Sequence, residues 1–155
     1  MQAWRIGKAD TITDLSGAGA ALYGGRWNPP DTPALYLGLS PCGCALDPVI
    51  LAGHVPQLQF KIMHLELPPN PELYEEPALD RLPLGWDTFP ADRPSMDFGG
   101  EWLERNDQLG LILPSAAMDE TRLVLINPRH PACAQIKVLQ ITDFIYGKPG
   151  TRRAA

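Results

Sequence analysis

The sequence predicts an α+β fold, and three observations point there. Short apolar, β-prone runs recur along the whole chain. Helical signals are few and do not alternate regularly with those runs, as a doubly wound sheet would require. Seventeen prolines and fourteen glycines are high for the length and scattered, which describes short elements joined by many loops. At 155 residues, 45% hydrophobic and 20% charged, the chain suits one globular domain spanning residues 1–155, with about 148–155 expected as a flexible tail.

Taken in order, Trp4-Arg5-Ile6 reads as a short opening strand and residues 10–25, small, polar and glycine-rich, as a loop. Ala34 to Leu37 follows Pro33 as a buried strand. Ser40-Pro41 has the form of a helix cap followed by proline at the first helical position, predicting a helix to about Ala52 and Gly53, kinked or broken at Pro48. Leu58 to Leu67 alternates like a strand, with Phe60, Ile62 and His64 on one face and Met63, Leu65 and Leu67 on the other. Pro68-Pro69 stops it. Residues 70–98 read as a long surface excursion with one helical turn, and Gly99 to Asn106 as a brief helix. Leu109 to Leu113, Leu123 to Ile126 and Ile136 to Ile145 complete the strands.

Composition excludes several classes. A net charge of −5 argues against a nucleic-acid groove, which needs clustered Lys and Arg. The basic pair Arg152-Arg153 is a solvated tail. No run of about 18 apolar residues predicts a membrane span, and Met1 to Arg5 does not resemble a signal peptide. Three cysteines without framework spacing suit reduced thiols and a cytoplasmic location.

Four patterns invite functional readings that their context does not support. Gly17-Ala18-Gly19 lacks the third glycine and the strand–turn–helix setting of a dinucleotide fingerprint. Cys42 and Cys44 on a helix point about 200° apart, which serves one ion poorly even with His54 nearby, so no metal site is expected. His64 and His130 read as structural or surface imidazoles. Ser16 and Ser40 have no nearby His/Asp pattern for a hydrolase triad.

Gly24-Gly25-Arg26-Trp27-Asn28-Pro29 is the most informative segment. Paired glycines let backbone approach a ligand, and a planar five-donor guanidinium suits a pyrophosphate or carboxylate. Alone, such a segment is often a surface cation–π pair of Arg26 with Trp27. Its neighbours add specificity through their order: Trp4-Arg5-Ile6 before it, then Leu35-Tyr36-Leu37, Ser40 and a helix around Asp47, Glu101-Trp102-Leu103, Leu113-Pro114-Ser115-Ala116, and Leu125 to Pro131. Over nearly its whole length the chain resembles the RES-domain proteins.

That family is named for an Arg, a Glu and a Ser. Arg26 matches the arginine and Ser115 the serine, while the glutamate position falls on Asp47. Arg5 and Tyr36 match further pocket positions, and Leu123 stands where an Asn is frequent. The resemblance implies a split β-sheet core like that of ADP-ribosyltransferases, with short peripheral helices and NAD⁺ in the cleft. It also implies cleavage of the nicotinamide–ribose bond, the ADP-ribosyl group passing to water, phosphate or a protein acceptor. A cognate antitoxin covering the cleft is the implied partner.

Oxocarbenium-like charge grows on the ribose as that bond breaks, so the site must hold the pyrophosphate and supply negative charge. On this reading Arg5 and Arg26 grip phosphates, Gly25 and Trp27 line the pocket, Tyr36 packs its ring on nicotinamide or ribose, and Ser115 bonds the nicotinamide amide or ribose. Asp47 stabilises the cation from a side chain one methylene shorter than Glu. Three accounts of that departure stay open: a compensating backbone shift beside Pro48, a substitute carboxylate such as Glu66 or Glu101, or a weakly active chain, natural or altered.

Overall fold

The computed structural model describes residues 1–44 and 60–144. Seven strands form one mixed sheet in the order β4-β5-β6-β2-β1-β3-β7. They are β1 (Gln2–Lys8), β2 (Leu35–Gly38), β3 (Phe60–Glu66), β4 (Tyr74–Glu75), β5 (Gly110–Pro114), β6 (Arg122–Ile126) and β7 (Lys137–Phe144). The helices are α1 (Ala18–Tyr23) and α2 (Arg93–Arg105), with short 3₁₀ turns between strands. Every strand pair is antiparallel except β4 with β5, so the sheet is the α+β type the sequence predicts.

Two halves of this sheet meet at a narrow seam. β1 pairs with β3 over seven positions, and β2 with β6 over four. Between β1 and β2 only Trp4 and Gly38 stand in register. The strands therefore diverge from that point, giving the split core implied by the resemblance and opening the sheet beside Arg5 and Tyr36.

Period-two alternation assigns the strand side chains to two cores. Leu35, Leu37, Met63, Leu65, Val124 and Ile126 face one of them, while Leu111, Leu113 and Leu125 face the other, where Trp27, Trp102 and Leu103 join them. Each fully buried Leu or Ile contributes about 1.5–3 kcal/mol of transfer free energy, so these alternations fix the register against a one-residue slip. The predicted faces of β3 hold: Met63 and Leu65 are buried, while Phe60, Ile62 and His64 are partly exposed.

Two expectations are corrected. Within the predicted loop 10–25, residues 18–23 form α1, a six-residue helix with no buried residue and a positive-φ glycine at each end (Gly17 and Gly24, φ 77°), of which Gly17 is left-handed helical. No apolar stripe announces such an element. The 70–98 excursion is also more structured than expected, since it contains β4, two 3₁₀ turns and the first six residues of α2. Asp92 caps α2 by accepting from Arg93 N at 2.7 Å, with proline in the first turn. The α2 stripe Ser95, Gly99, Gly100, Trp102 and Leu103 is buried at helical spacing.

Residues 41–44 are helical and Ser40 Oγ accepts from Gly43 N, as a cap does. The remainder of the predicted helix, including Pro48, lies outside the described residues, as does the expected tail. Among the described residues no helix is long and apolar enough to cross a membrane.

Candidate active site

The site grows from the tight turn after α1. Gly25 N donates to Asn28 O at 2.9 Å, and Asn28 N returns a longer bond of 3.4 Å. Tyr36, partly exposed on β2, closes this turn from the side. Its hydroxyl accepts from Trp27 N at 3.0 Å and donates to Asn28 Oδ1 at 2.6 Å. Glycine is required at position 25 by space, since a Cβ there would lie 2.7 Å from the Tyr36 hydroxyl and 2.8 Å from Asn28 Oδ1. Burial pushes the Tyr36 phenol well above its ordinary pKa, against smaller opposing effects of the Trp27 amide and Arg26. The group is therefore neutral at physiological pH.

Arg26 reaches from the same turn to the segment before α2. Its Nη1 donates to Trp86 O at 2.9 Å and Thr88 O at 2.8 Å, and its guanidinium lies 4.8 Å from the Phe89 ring centroid. The cation–π partner is thus Phe89 rather than Trp27. Trp27 itself is fully buried, 6.1 Å from Trp86 and 6.0 Å from Phe98 between ring centroids. It belongs to the core beneath the cleft and cannot offer an exposed ring to a ligand.

Ser115 follows β5 and is 4% exposed. Its N–H donates to Thr121 O at 2.9 Å and its Oγ accepts from Ala117 N at 3.1 Å. The hydroxyl therefore shapes the 115–117 turn while lining the cleft.

Gly25, Arg26, Trp27, Tyr36 and Ser115 all border one cleft of about 560 Å³, whose apolar wall is Phe89, Pro90 and Met96. Arg5 borders a second cleft of about 400 Å³, in the opening between β1 and β2. Ala20, Tyr36 and Leu123 border both, so the two clefts lie side by side with Tyr36 between them. Arg5 Nη1 donates to Ile12 O at 2.9 Å and Asp14 O at 2.7 Å, holding the turn after β1. Its burial lowers the guanidinium pKa, an effect that Asp14 opposes.

The carboxylate expected at Asp47 lies outside the described residues. The substitutes Glu66 and Glu101 are exposed and are not among the described residues lining either cleft. Among the described lining residues the carboxylate is Asp14. Hydrogen bonds from Ser16, with a smaller effect of Arg5, lower its pKa, so it is ionised near neutrality.

The other isolated groups have local partners. His64 stacks on Trp4 at 4.8 Å with Nε2 2.7 Å from Gln2 Oε1, and His130 Nδ1 accepts from Ala132 N. Ser16 Oγ accepts from Ala18 N. Cys42 is exposed, Cys44 Sγ donates to Pro41 O, and His54 lies outside the described residues.

Sequence reasoning missed Asn28 and the Phe89–Met96 wall. The signal for Asn28 was its place just before Pro29-Pro30, where an amide side chain readily bonds turn backbone, though its burial could not be read from the sequence. Phe89 offered none, because only the long-range reach of Arg26 brings it to the cleft.

Comparison with known proteins places the chain in a family. The RES domain family matches residues 2–147. The Prs ADP-ribosylating toxin of Sphingobium sp. (strain YBL2) is 33% identical over 157 residues, covering 97% of each chain. Toxin Res of Pseudomonas putida is 32% identical over 144 residues, covering 91% of this chain and 93% of its own. Toxin Res of Yersinia enterocolitica is 34% identical over 116 residues, covering 74% and 75%. In fold, the chain resembles a chain of the M. tuberculosis MbcT–MbcA toxin–antitoxin complex, with a TM-score of 0.76 at 20% identity, covering 93% of this chain and 84% of the other. Matched from Gln2 almost to its end, the chain belongs to the RES-domain family.

Proposed function

We propose that this protein is the toxin of a toxin–antitoxin pair and depletes NAD⁺ by cleaving its nicotinamide–ribose bond, as a glycohydrolase or phosphorylase. One observation carries the reading. Gly25, Arg26, Tyr36 and Ser115, drawn from three separate segments, converge on a single cleft of about 560 Å³. A second cleft adjoins it on the other side of Tyr36, and the pair suits an extended dinucleotide better than a compact ligand.

In this mechanism the C1′–N bond breaks with its electron pair going to nicotinamide, which leaves neutral while positive charge builds on the ribose. Arg26 places fixed positive charge where a pyrophosphate lies, and Arg5 does the same in the adjoining cleft. The neutral Tyr36 presents its ring, its hydroxyl being already bonded to Trp27 and Asn28. Ser115 directs the nicotinamide amide or ribose, and Asp47 stabilises the developing cation. Water or phosphate then takes the ribosyl carbon. The cytoplasm is the compartment where NAD⁺ and reduced thiols coexist, and a cognate antitoxin covering the cleft keeps the activity silent.

A second reading makes the acceptor a protein. It is favoured by the name of the Sphingobium relative, an ADP-ribosylating toxin aligned over 97% of this chain. A third keeps NAD⁺ binding but loses turnover through the shorter Asp47.

The deciding experiment follows NAD⁺ and its products for the unaltered chain, Asp47→Glu and Arg26→Ala, with and without cell lysate. Nicotinamide plus ADP-ribose or its 1-phosphate, lost in Arg26→Ala, is the expected result. A labelled protein band at the expense of free product moves the assignment to the transferase. Intact NAD⁺ with the unaltered chain but rapid loss with Asp47→Glu identifies the weakened binding module. NAD⁺ left intact by every variant refutes the reading.

A further inference from the structure

Asn28 takes no part in the chemistry above, yet it is fully buried beside the cleft. Its Nδ2 donates to Ala20 O at 3.0 Å, Pro29 O at 3.2 Å and Thr32 O at 3.0 Å. Three carbonyls on one side dictate which way the amide faces, because an oxygen placed there would be repelled by all three. Oδ1 must then point at Tyr36, whose hydroxyl proton it accepts at 2.6 Å. The same hydroxyl oxygen accepts from Trp27 N. A phenol otherwise free to swing about its side-chain torsions is thereby held at one orientation.

We propose that Asn28 is a positioning residue: through the Tyr36 hydroxyl it fixes the ring at the junction of the two clefts, and so sets the passage through which a dinucleotide must thread. The inference rests on the NAD⁺ reading. It accounts for a chain of amide, phenol and backbone N–H running from α1 to β2 immediately behind Arg26. A residue that merely tied α1 to the 29–32 loop would need the three carbonyl bonds and not the fourth, to Tyr36.

The test compares Asn28→Asp, Tyr36→Phe and their combination. Asn28→Asp keeps the shape but turns an oxygen onto three carbonyls. Tyr36→Phe keeps the ring and removes only the hydroxyl, so it carries the test if Asn28→Asp does not fold. Losing a buried hydrogen bond of this kind is expected to raise the KM for NAD⁺ about tenfold while kcat changes less than about twofold. The double variant should be no worse than the poorer single one, because both act on the same ring. The Trp27 amide, which donates to the Tyr36 hydroxyl, should exchange its hydrogen about tenfold faster in each variant without any ligand present.

Wild-type KM in Tyr36→Phe, or losses that multiply in the double variant, overturns the positioning role. Unchanged Trp27 exchange overturns it as well, and does so whether or not the protein consumes NAD⁺. An unaltered chain that leaves NAD⁺ intact while Trp27 exchange responds as expected refutes the NAD⁺ reading alone.

Discussion

Gly99→Ala tests the contact that seats the candidate site on its scaffold. A Cβ at position 99 would lie 2.0 Å from Trp27 O, 2.7 Å from Trp27 C and 2.9 Å from Trp27 Cβ. Ordinary contact begins at 3.4 Å, so α2 and the Trp27 backbone would have to separate by about 1.4 Å. Neither side yields easily. Trp27 is fully buried between Trp86 and Phe98, and α2 is tied down by Trp102 Nε1 donating to Glu75 Oε2 and by Asn127 Nδ2 donating to Leu103 O. Overpacking of this kind costs about 3 kcal/mol, which lowers Tm by roughly 6–12 °C in a domain of this size. Because Met96 on the same helix walls the cleft, the KM for NAD⁺ should rise in parallel. Gly19→Ala is the control: nothing lies within 4 Å of its Cβ, and alanine in the exposed α1 should raise stability by about 0.5–1 kcal/mol. Thermal unfolding followed by circular dichroism reads both. A Gly99→Ala variant with the Tm of the unaltered chain would refute the close seating of α2 on Trp27.

Three further outcomes follow from other contacts. Asn127→Ala removes bonds to Leu103 O and Asn106 Oδ1, both 2.9 Å, at a fully buried site, and should cost about 2 kcal/mol, visible as a Tm lower by roughly 4–8 °C. Arg26→Lys keeps the charge but loses the planar group bonded to Trp86 O and Thr88 O over Phe89; limited proteolysis should cut between Trp86 and Phe89 faster, and NAD⁺ loss should slow about tenfold or more. Burial raises Tyr74 to about 12 and Tyr36 further, above the ordinary phenol value near 10. Their contribution to stability is complete below about pH 10 and is lost as pH climbs through the folded values, because the unfolded chain ionises first. Urea midpoints should therefore fall from about pH 10 upward, and less steeply in Tyr36→Phe; an identical slope in that variant would count against the buried phenol.

How much of this was legible in the sequence depends on how local each cause is. The strands were visible because alternation is written residue by residue, as in Val124 and Ile126 facing one core and Leu125 the other. The two-residue β4 and the six-residue α1 were invisible, since neither is long enough to show a period and α1 buries nothing. The start of α2 was legible but misread: Asp92-Arg93-Pro94 is a cap with proline in the first turn, and Gly99-Gly100 drew attention as a boundary instead. Those glycines are a notch for Trp27 and Pro29, a reason that lies far away along the chain. Trp27 was placed at the ligand for the same cause. The motif names a tryptophan, and only the tertiary contact with Gly99 shows that it faces inward.

The residues that carry the family resemblance are also residues that hold the cleft in shape. Arg26 restrains the Trp86–Phe89 segment, Tyr36 and Gly25 close the turn on Asn28, and the Ser115 hydroxyl shapes the 115–117 turn. Loss of activity on truncating any of them therefore does not by itself assign a chemical role, because the cleft changes shape with the residue removed. The seam at Trp4 and Gly38 sharpens the point. With one register pair joining β1 to β2, the opening between Arg5 and Tyr36 is flanked by side chains held on their own sides, Arg5 by the carbonyls of Ile12 and Asp14 and Tyr36 by Trp27 and Asn28. A site built this way separates chemistry from architecture only through substitutions that keep shape while changing one group. Asp47→Glu changes reach without charge, Tyr36→Phe changes one oxygen without the ring, and Arg26→Lys changes geometry without net charge. An ordering in which the carboxylate variant alters kcat while the Tyr36 variant alters KM would assign Asp47 to the bond-breaking step and Tyr36 to the passage that leads there.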